Sequence, residues 1–269
     1  MARPAKRPKS DDQAVLLRDD AGGIATLTMN RPRARNALSR ELIAALSEEF
    51  AAIEADAAVR VVVIAANGPA FCAGHDMKEM RADPDQNNYE SLFAGSSRLM
   101  QAIMQLSKPV IAKVAATATA AGTQMVASCD LAIASRDARF ATPGVDIGLF
   151  CSTPMVAISR NMTRKQSLEM LLTGVPIDAE TAAAFGLINK AVAAEDLDAT
   201  VADMAATIVQ KSARVIALGK QAYYRQLEMG LPEAYAFAGQ VMASNMMMAD
   251  ATEGIDAFLE KRPPRWPEG

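Results

Sequence analysis

The sequence predicts an α/β protein whose strands and helices alternate through its first two-thirds and give way to helices towards the C-terminus. Three observations carry this. Residues 60–66 (RVVVIAA), 110–114 (VIAKV) and 131–134 (LAIA) are continuous apolar runs, as expected of strands covered on both faces. Helical spacing fills the intervals between them, and strand–helix–strand order calls for right-handed crossovers. From Thr163 onward nearly every segment reads as helix. A chain of 269 residues is long enough to bury a core, and no low-complexity linker divides it. The expected organisation is a disordered tail over residues 1–12, an α/β core over 13–200 and a helical region over 201–269.

In chain order, residues 14–18 and 24–29 are short β-type runs, separated by Asp19-Asp20-Ala21-Gly22-Gly23, which suits a hairpin turn. Ser39 is placed to cap a helix whose Leu42, Leu46, Phe50 and Ile53 form one apolar stripe. The strand over 60–66 is ended by Asn67-Gly68-Pro69. A helix is expected over 88–106, and a short one within the segment AAGTQMVASCD at 120–130. Further helices are expected over 164–172, 179–185, 197–210, 213–229 and 234–248, with one brief strand over 188–192.

Composition narrows the function classes. About half of the residues are apolar and the net charge is −3, which argues against a nucleic-acid partner. Three widely spaced cysteines and a single histidine make no metal set, so no metal site is expected. No apolar run approaches the roughly 20 residues needed to span a bilayer, and MARPAKRPKSDD lacks the apolar stretch of a secretory signal. A cytoplasmic location, without membrane association, is the expectation.

Six stretches in order carry a resemblance: NRPRARNAL (30–38), GPAFCAGHDMKEM (68–80), KPVIAKVAATATAAGTQMVASCDLAIAS (108–135), FATPGVDIGLF (140–150), LTGVPIDAETAAAFGLINKAV (172–192) and EGIDAFLEKRPP (253–264). Together they resemble the crotonase, or enoyl-CoA hydratase/isomerase, superfamily over nearly the whole chain. The resemblance implies a spiral of ββα units in the core and a helical C-terminal region that trimerises, as a homotrimer or a dimer of trimers. It also implies an acyl-CoA thioester as the partner molecule. No permanently bound cofactor is expected, coenzyme A entering as part of the substrate.

Family chemistry polarises a thioester carbonyl with two backbone N–H donors, stabilising an enolate-like oxyanion. By resemblance these belong to His75 and to Ala121, the latter at a helix start where N–H groups are unpaired. The resemblance assigns coenzyme contacts to Arg33, Ala73, Asp76, Lys78, Phe258 and Lys261, with the cations suited to phosphate. Hydration, however, needs two carboxylates around one water. The family positions for them fall here on Gln124 and Gly144, which resembles the enoyl-CoA hydratase domain-containing subgroup that lacks both glutamates. An amide still orients a ligand by hydrogen bonding, but it accepts no proton at neutral pH. Asp146 is a candidate substitute acid, while Cys151 lacks a histidine to activate it. Two functions follow: a thioester-enolate enzyme with standard hydration in doubt, or a non-catalytic acyl-CoA binding or assembly protein. Peptidase chemistry on a related fold would need a Ser-His-Asp set, and the sole histidine lies in the first donor loop.

Overall fold

The computed structural model describes residues 14–267. Among these residues are ten strands: β1 (Leu16–Ala21), β2 (Ile24–Met29), β3 (Val61–Ala66), β4 (Ala70–Cys72), β5 (Val110–Val114), β6 (Thr117–Thr119), β7 (Leu131–Ser135), β8 (Arg139–Ala141), β9 (Ile177–Asp178) and β10 (Lys190–Val192). Eleven α-helices accompany them, besides three short 3-10 turns: α1 (Arg40–Ala55), α2 (Met77–Ala82), α3 (Gln86–Gln105), α4 (Ala121–Ser128), α5 (Ser152–Asn161), α6 (Arg164–Thr173), α7 (Ala179–Ala184), α8 (Leu197–Val209), α9 (Ala213–Gln226), α10 (Leu231–Met246) and α11 (Ala249–Leu259). The tail expected over residues 1–12 lies outside the described residues.

Two sheets organise the core. The larger runs β1-β2-β3-β5-β7-β10, parallel except for the β1–β2 hairpin. The smaller runs β4-β6-β8-β9, parallel except for its last pair. Successive strand pairs β3–β4, β5–β6 and β7–β8 each give one strand to each sheet before the chain turns into helix. This is a spiral of ββα units, as the resemblance implied. The three-residue strands β4, β6 and β8 were not anticipated, because so short a segment shows no alternation of apolar and polar positions.

Alternation explains the two-sided burial of the larger sheet. Val61, Val63, Ile111 and Ile133 face Leu197, Val201 and Ala205 of α8. Val62, Ile64, Val110, Ala112, Ala132 and Ala134 face the main core, with Leu42, Leu46, Phe50 and Ile53 of α1. The Ser39 hydroxyl accepts from the Leu42 N–H at 3.2 Å and starts α1 where expected. At the hairpin, β1 runs to Ala21, and only Gly22 and Gly23 form the turn, both at positive φ (59° and 80°). Residue 201 falls inside α8, so the helix that covers the larger sheet spans the expected boundary between core and helical region.

One buried polar cluster fastens α9 to the core. Lys220 Nζ meets Asp130 Oδ2 at 2.7 Å and donates to the Ile103 and Lys108 carbonyls, both at 3.0 Å. Asp130 also accepts from Tyr224 Oη at 2.9 Å and from the Val110 N–H at 2.7 Å. Burial pushes the Asp130 carboxyl up and the Lys220 ammonium down, against the stabilising pull of each on the other. The pair therefore depends on its full set of hydrogen bonds. At the far end, Asp250 accepts from Ser212 Oγ at 2.5 Å and pairs with Arg214 at 2.9 Å, tying α11 to the start of α9.

Removing one member of the Lys220 cluster strands the others. Lys220→Met is expected to lower unfolding free energy by about 3–5 kcal/mol, the range for breaking a buried pair. Tyr224→Phe should cost less, about 1.5–3 kcal/mol, for a hydrogen bond to a charged group. Urea unfolding checks both, and equal small losses would show the cluster to be dispensable.

Candidate functional site

Strands β4 and β6 are parallel neighbours, so the loops that follow them emerge at the same end of the smaller sheet. After β4 comes Ala73-Gly74-His75-Asp76. The Gly74 carbonyl accepts from the Leu38 N–H at 2.7 Å, and the Asp76 N–H donates to the Leu38 carbonyl at 3.1 Å. His75 lies between these two bonds, and its own N–H has no partner among the described residues. After β6, α4 begins at Ala121, whose N–H falls in the first turn and likewise has no partner there. The two loops touch: a Cβ built on Gly74 would stand 3.6 Å from the Ala121 nitrogen and 3.0 Å from Ala120 Cβ.

Glycine makes this approach possible. Gly74 has φ of 92°. Gly122 is closer still, for a Cβ there would lie 2.2 Å from the Cys72 carbonyl oxygen. On the same side of α4, Thr123 Oγ1 bonds to the Ala118 and Ala141 carbonyls at 2.9 and 3.0 Å. Helix α4 thus rests directly on β4, β6 and β8. Ala120, which leads into it, holds φ of 50° and ψ of −115°, a conformation suited to glycine.

Two polar side chains near the paired loops, His75 and Gln124, are neutral. His75 packs edge-on against Phe93 of α3, with ring centres 5.3 Å apart. Its Nε2 is buried without a partner, and burial lowers its pKa to about 4. Gln124 is 4 % exposed, with Oε1 unpartnered. Ser96 on α3, not anticipated as a site residue, is also buried with an unpartnered hydroxyl. A small serine within an apolar helical stripe carries no sequence signal that separates it from packing.

Gly144 is buried, and its side-chain space is already filled. A Cβ there would meet the Leu149 carbonyl oxygen at 2.7 Å and Cys151 Sγ at 3.0 Å. Asp146 is exposed, with its carboxylate towards Gly174. Cys151 is buried, and that burial pushes its thiol up, as it does for Cys72 and Cys129. Among the described residues, no three His, Cys, Asp or Glu side chains converge as a metal set requires.

Of the residues assigned to the coenzyme, four lie close together. Arg31 pairs with Asp76 at 2.9 Å, and the Ala73 N–H donates to the Arg35 carbonyl at 3.0 Å, which joins the turn carrying Arg33 to the loop carrying Ala73 and Lys78. Arg33 and Lys78 are exposed. Burial raises the Asp76 carboxyl, but Arg31 and the N–H groups of Lys78 and Glu79 outweigh it and hold it below the ordinary carboxylate range. Asp76 therefore joins the loops and caps α2. Phe258, 81 % exposed, and Lys261 lie at the end of α11, and no hydrogen bond or ion pair among the described residues connects them to the other four.

Comparison with known proteins agrees with this architecture. The family model described as enoyl-CoA hydratase/isomerase matches residues 19–269. Enoyl-CoA hydratase domain-containing protein 3, mitochondrial, from Rattus norvegicus is 42 % identical over 98 % of this chain and 88 % of its own length. The human protein of that name is 42 % identical over 97 % and 86 %. A crystal structure of an enoyl-CoA hydratase from Mycobacterium smegmatis superposes with a TM-score of 0.93 at 53 % identity, covering 94 % of this chain and 99 % of that one. The relatives' names correct the expected cytoplasmic location: they point to mitochondria instead. The expectation rested on the lack of a membrane span and of a secretory signal, and neither distinguishes the cytoplasm from mitochondria. With the family match, the similarity over almost the full length and the shared ββα spiral, the chain belongs to the enoyl-CoA hydratase/isomerase, or crotonase, family.

Proposed function

We propose that this protein binds acyl-CoA thioesters and polarises the thioester carbonyl with the backbone N–H groups of His75 and Ala121. The observation that carries the reading is the pair of unpartnered N–H groups on two touching loops. Donors already aimed at developing charge lower an enolate-forming barrier without reorganising. Arg33 and Lys78, exposed beside the first loop, supply cations for the coenzyme's phosphates, Ala73 lies against its adenine, and Asp76 orients the loop through Arg31. Phe258 and Lys261 reach a coenzyme site as part of a homotrimer or a dimer of trimers. The exposed Leu231, Tyr235, Met247 and Leu259 on the C-terminal helices support such association.

Standard hydration is not the reaction proposed. Gln124 cannot take a proton from water, and the space at Gly144 is occupied by Leu149 and Cys151. Asp146 is the carboxylate retained as a substitute acid in this scheme. The filled space at Gly144 also favours a second reading, a non-catalytic acyl-CoA binding or assembly protein.

Calorimetry with butyryl-CoA is expected to show binding, and crotonyl-CoA should be hydrated at less than about 1 per second, the lower edge of ordinary enzyme rates. Faster hydration would contradict the loss of the acid–base pair. Deuterium uptake at the α-carbon of butyryl-CoA in D2O then separates the readings: exchange marks enolate formation, and its absence favours the binder.

His75 is assigned through its backbone, so its ring should not govern activity near neutrality. As the only histidine, it gives one imidazole signal, expected to titrate near 4 in the folded protein. The unfolded value is about 6.5. The stability that depends on neutral His75 is therefore present above about 6.5 and lost as pH falls towards about 4. A nuclear magnetic resonance midpoint near 6.5 would place the ring in solvent.

Filling the glycine spaces should be costly. Gly144→Ala is expected to destabilise by about 1–3 kcal/mol as an overpacked substitution. Gly122→Ala, against backbone at shorter range, should cost more. Urea unfolding of both variants tests the order.

A further inference from the structure

We propose that the cleft between α1 and α3 binds a phosphate monoester, with the phosphate held between Arg40 and Arg98. The two helices pack against each other and leave a cavity of about 460 Å³, within the size range of small-molecule sites. Arg40, Ile43 and Ser47 of α1 and Ser91, Gly95 and Arg98 of α3 line it. On each helix these positions recur three or four residues apart, so each set is one stripe, and the two stripes share one cavity.

Both guanidinium groups are directed along this cleft. Arg40 Nη2 donates to the Asn88 carbonyl at 2.9 Å and to Asn88 Oδ1, which draws the side chain across to the first turn of α3. Arg98 approaches from the other end. A Cβ built on Gly95 would lie 3.9 Å from Arg98 Nη2, so this side chain folds back towards the N-terminus of α3, where Arg40 is held. Beyond the helix's own backbone, nothing else comes within 4 Å of that Cβ position, and Gly95 leaves the cleft open. Asn88 and Gly95 are two helical turns apart on one face, about 10 Å along the axis. Two long arginine side chains can close that span around one phosphate.

Charge gives the ligand its class. No Asp or Glu lines the cleft, and Arg98 has no side-chain hydrogen bond or ion pair among the described residues. Glu79 Oε2 accepts from the Arg40 backbone N–H at 2.9 Å and does not engage its guanidinium. Two like charges on one cavity repel, and an anion between them turns repulsion into attraction. Guanidinium forks match phosphate oxygens in pairs. Ser91 adds a hydroxyl donor, whereas the Ser47 hydroxyl is already committed to the Ile43 carbonyl at 2.7 Å. Ile43 and Leu92, both buried, offer apolar surface to the organic part of an ester. Arg33 and Lys78, assigned to the coenzyme's phosphates, do not line this cleft, so mutation distinguishes the two places.

The test is calorimetric titration of the full-length protein with phenyl phosphate and with inorganic phosphate. Phenyl phosphate is expected to bind, and more tightly than inorganic phosphate. Both arginines are exposed, so Arg40→Gln and Arg98→Gln keep the fold, and each should weaken phenyl phosphate by about tenfold or more, as the loss of charge-assisted hydrogen bonds implies. Gly95→Leu places a good helix former in the open space and should abolish binding without loss of helix by circular dichroism. Absence of heat with phenyl phosphate at millimolar concentration would overturn the inference. So would equal affinity in the wild-type protein, Arg40→Gln and Arg98→Gln. Loss of binding in Arg33→Gln/Lys78→Gln, with Arg98→Gln unaffected, would overturn it by placing the phosphate among the coenzyme's cations.

Discussion

The contact of α4 with the Cys72 carbonyl is the constraint on which the rest of the site depends. No side chain fits between them, since even a methyl group on Gly122 would enter the carbonyl oxygen at 2.2 Å. That closeness brings the start of α4 beside the loop after β4, so that two N–H groups from segments about 46 residues apart come to one place. Thr123 pins the same turn through two carbonyls. Backbone strain is the counterweight. Ala120 holds a glycine-type conformation, a cost of about 1–3 kcal/mol that the surrounding packing maintains.

At positions 124 and 144 this chain carries no charged side chain. A buried carboxylate at 124 would need compensation, whereas an amide needs only hydrogen-bond partners. At 144 the constraint is one of shape, because the 149–151 segment occupies the room a side chain would take. The two positions therefore differ in kind. Gln124 keeps an unpartnered side-chain oxygen, and Gly144 leaves no room for a side chain.

Much of the fold was legible in the sequence where periodicity was strong. The apolar runs of β3, β5 and β7, the cap at Ser39 and the helices after Thr163 follow from spacing and local side-chain chemistry. The smaller sheet was not, because its strands are only two or three residues long and are defined by pairing with distant segments. The ββα units likewise repeat in space with no repeat in sequence, since each carries different helices. Of the candidate site, His75, Ala121 and Gln124 were nominated by motif, whereas the buried, unpartnered hydroxyl of Ser96 carries no sequence signal and shows only in the packing of α3. The filled space at Gly144 was equally invisible, since a glycine in a sequence does not reveal what occupies its side-chain room.

The central claim is that the backbone N–H groups of His75 and Ala121 act on a thioester carbonyl. Difference infrared spectroscopy of butyryl-CoA labelled with 13C at its carbonyl tests this most directly, because the stretch frequency falls as the carbonyl is polarised. Two converging donors predict a clear shift to lower wavenumber on binding, retained when His75 is replaced by Phe because the backbone donor remains. A bound thioester whose carbonyl absorbs where it does in water would contradict the account.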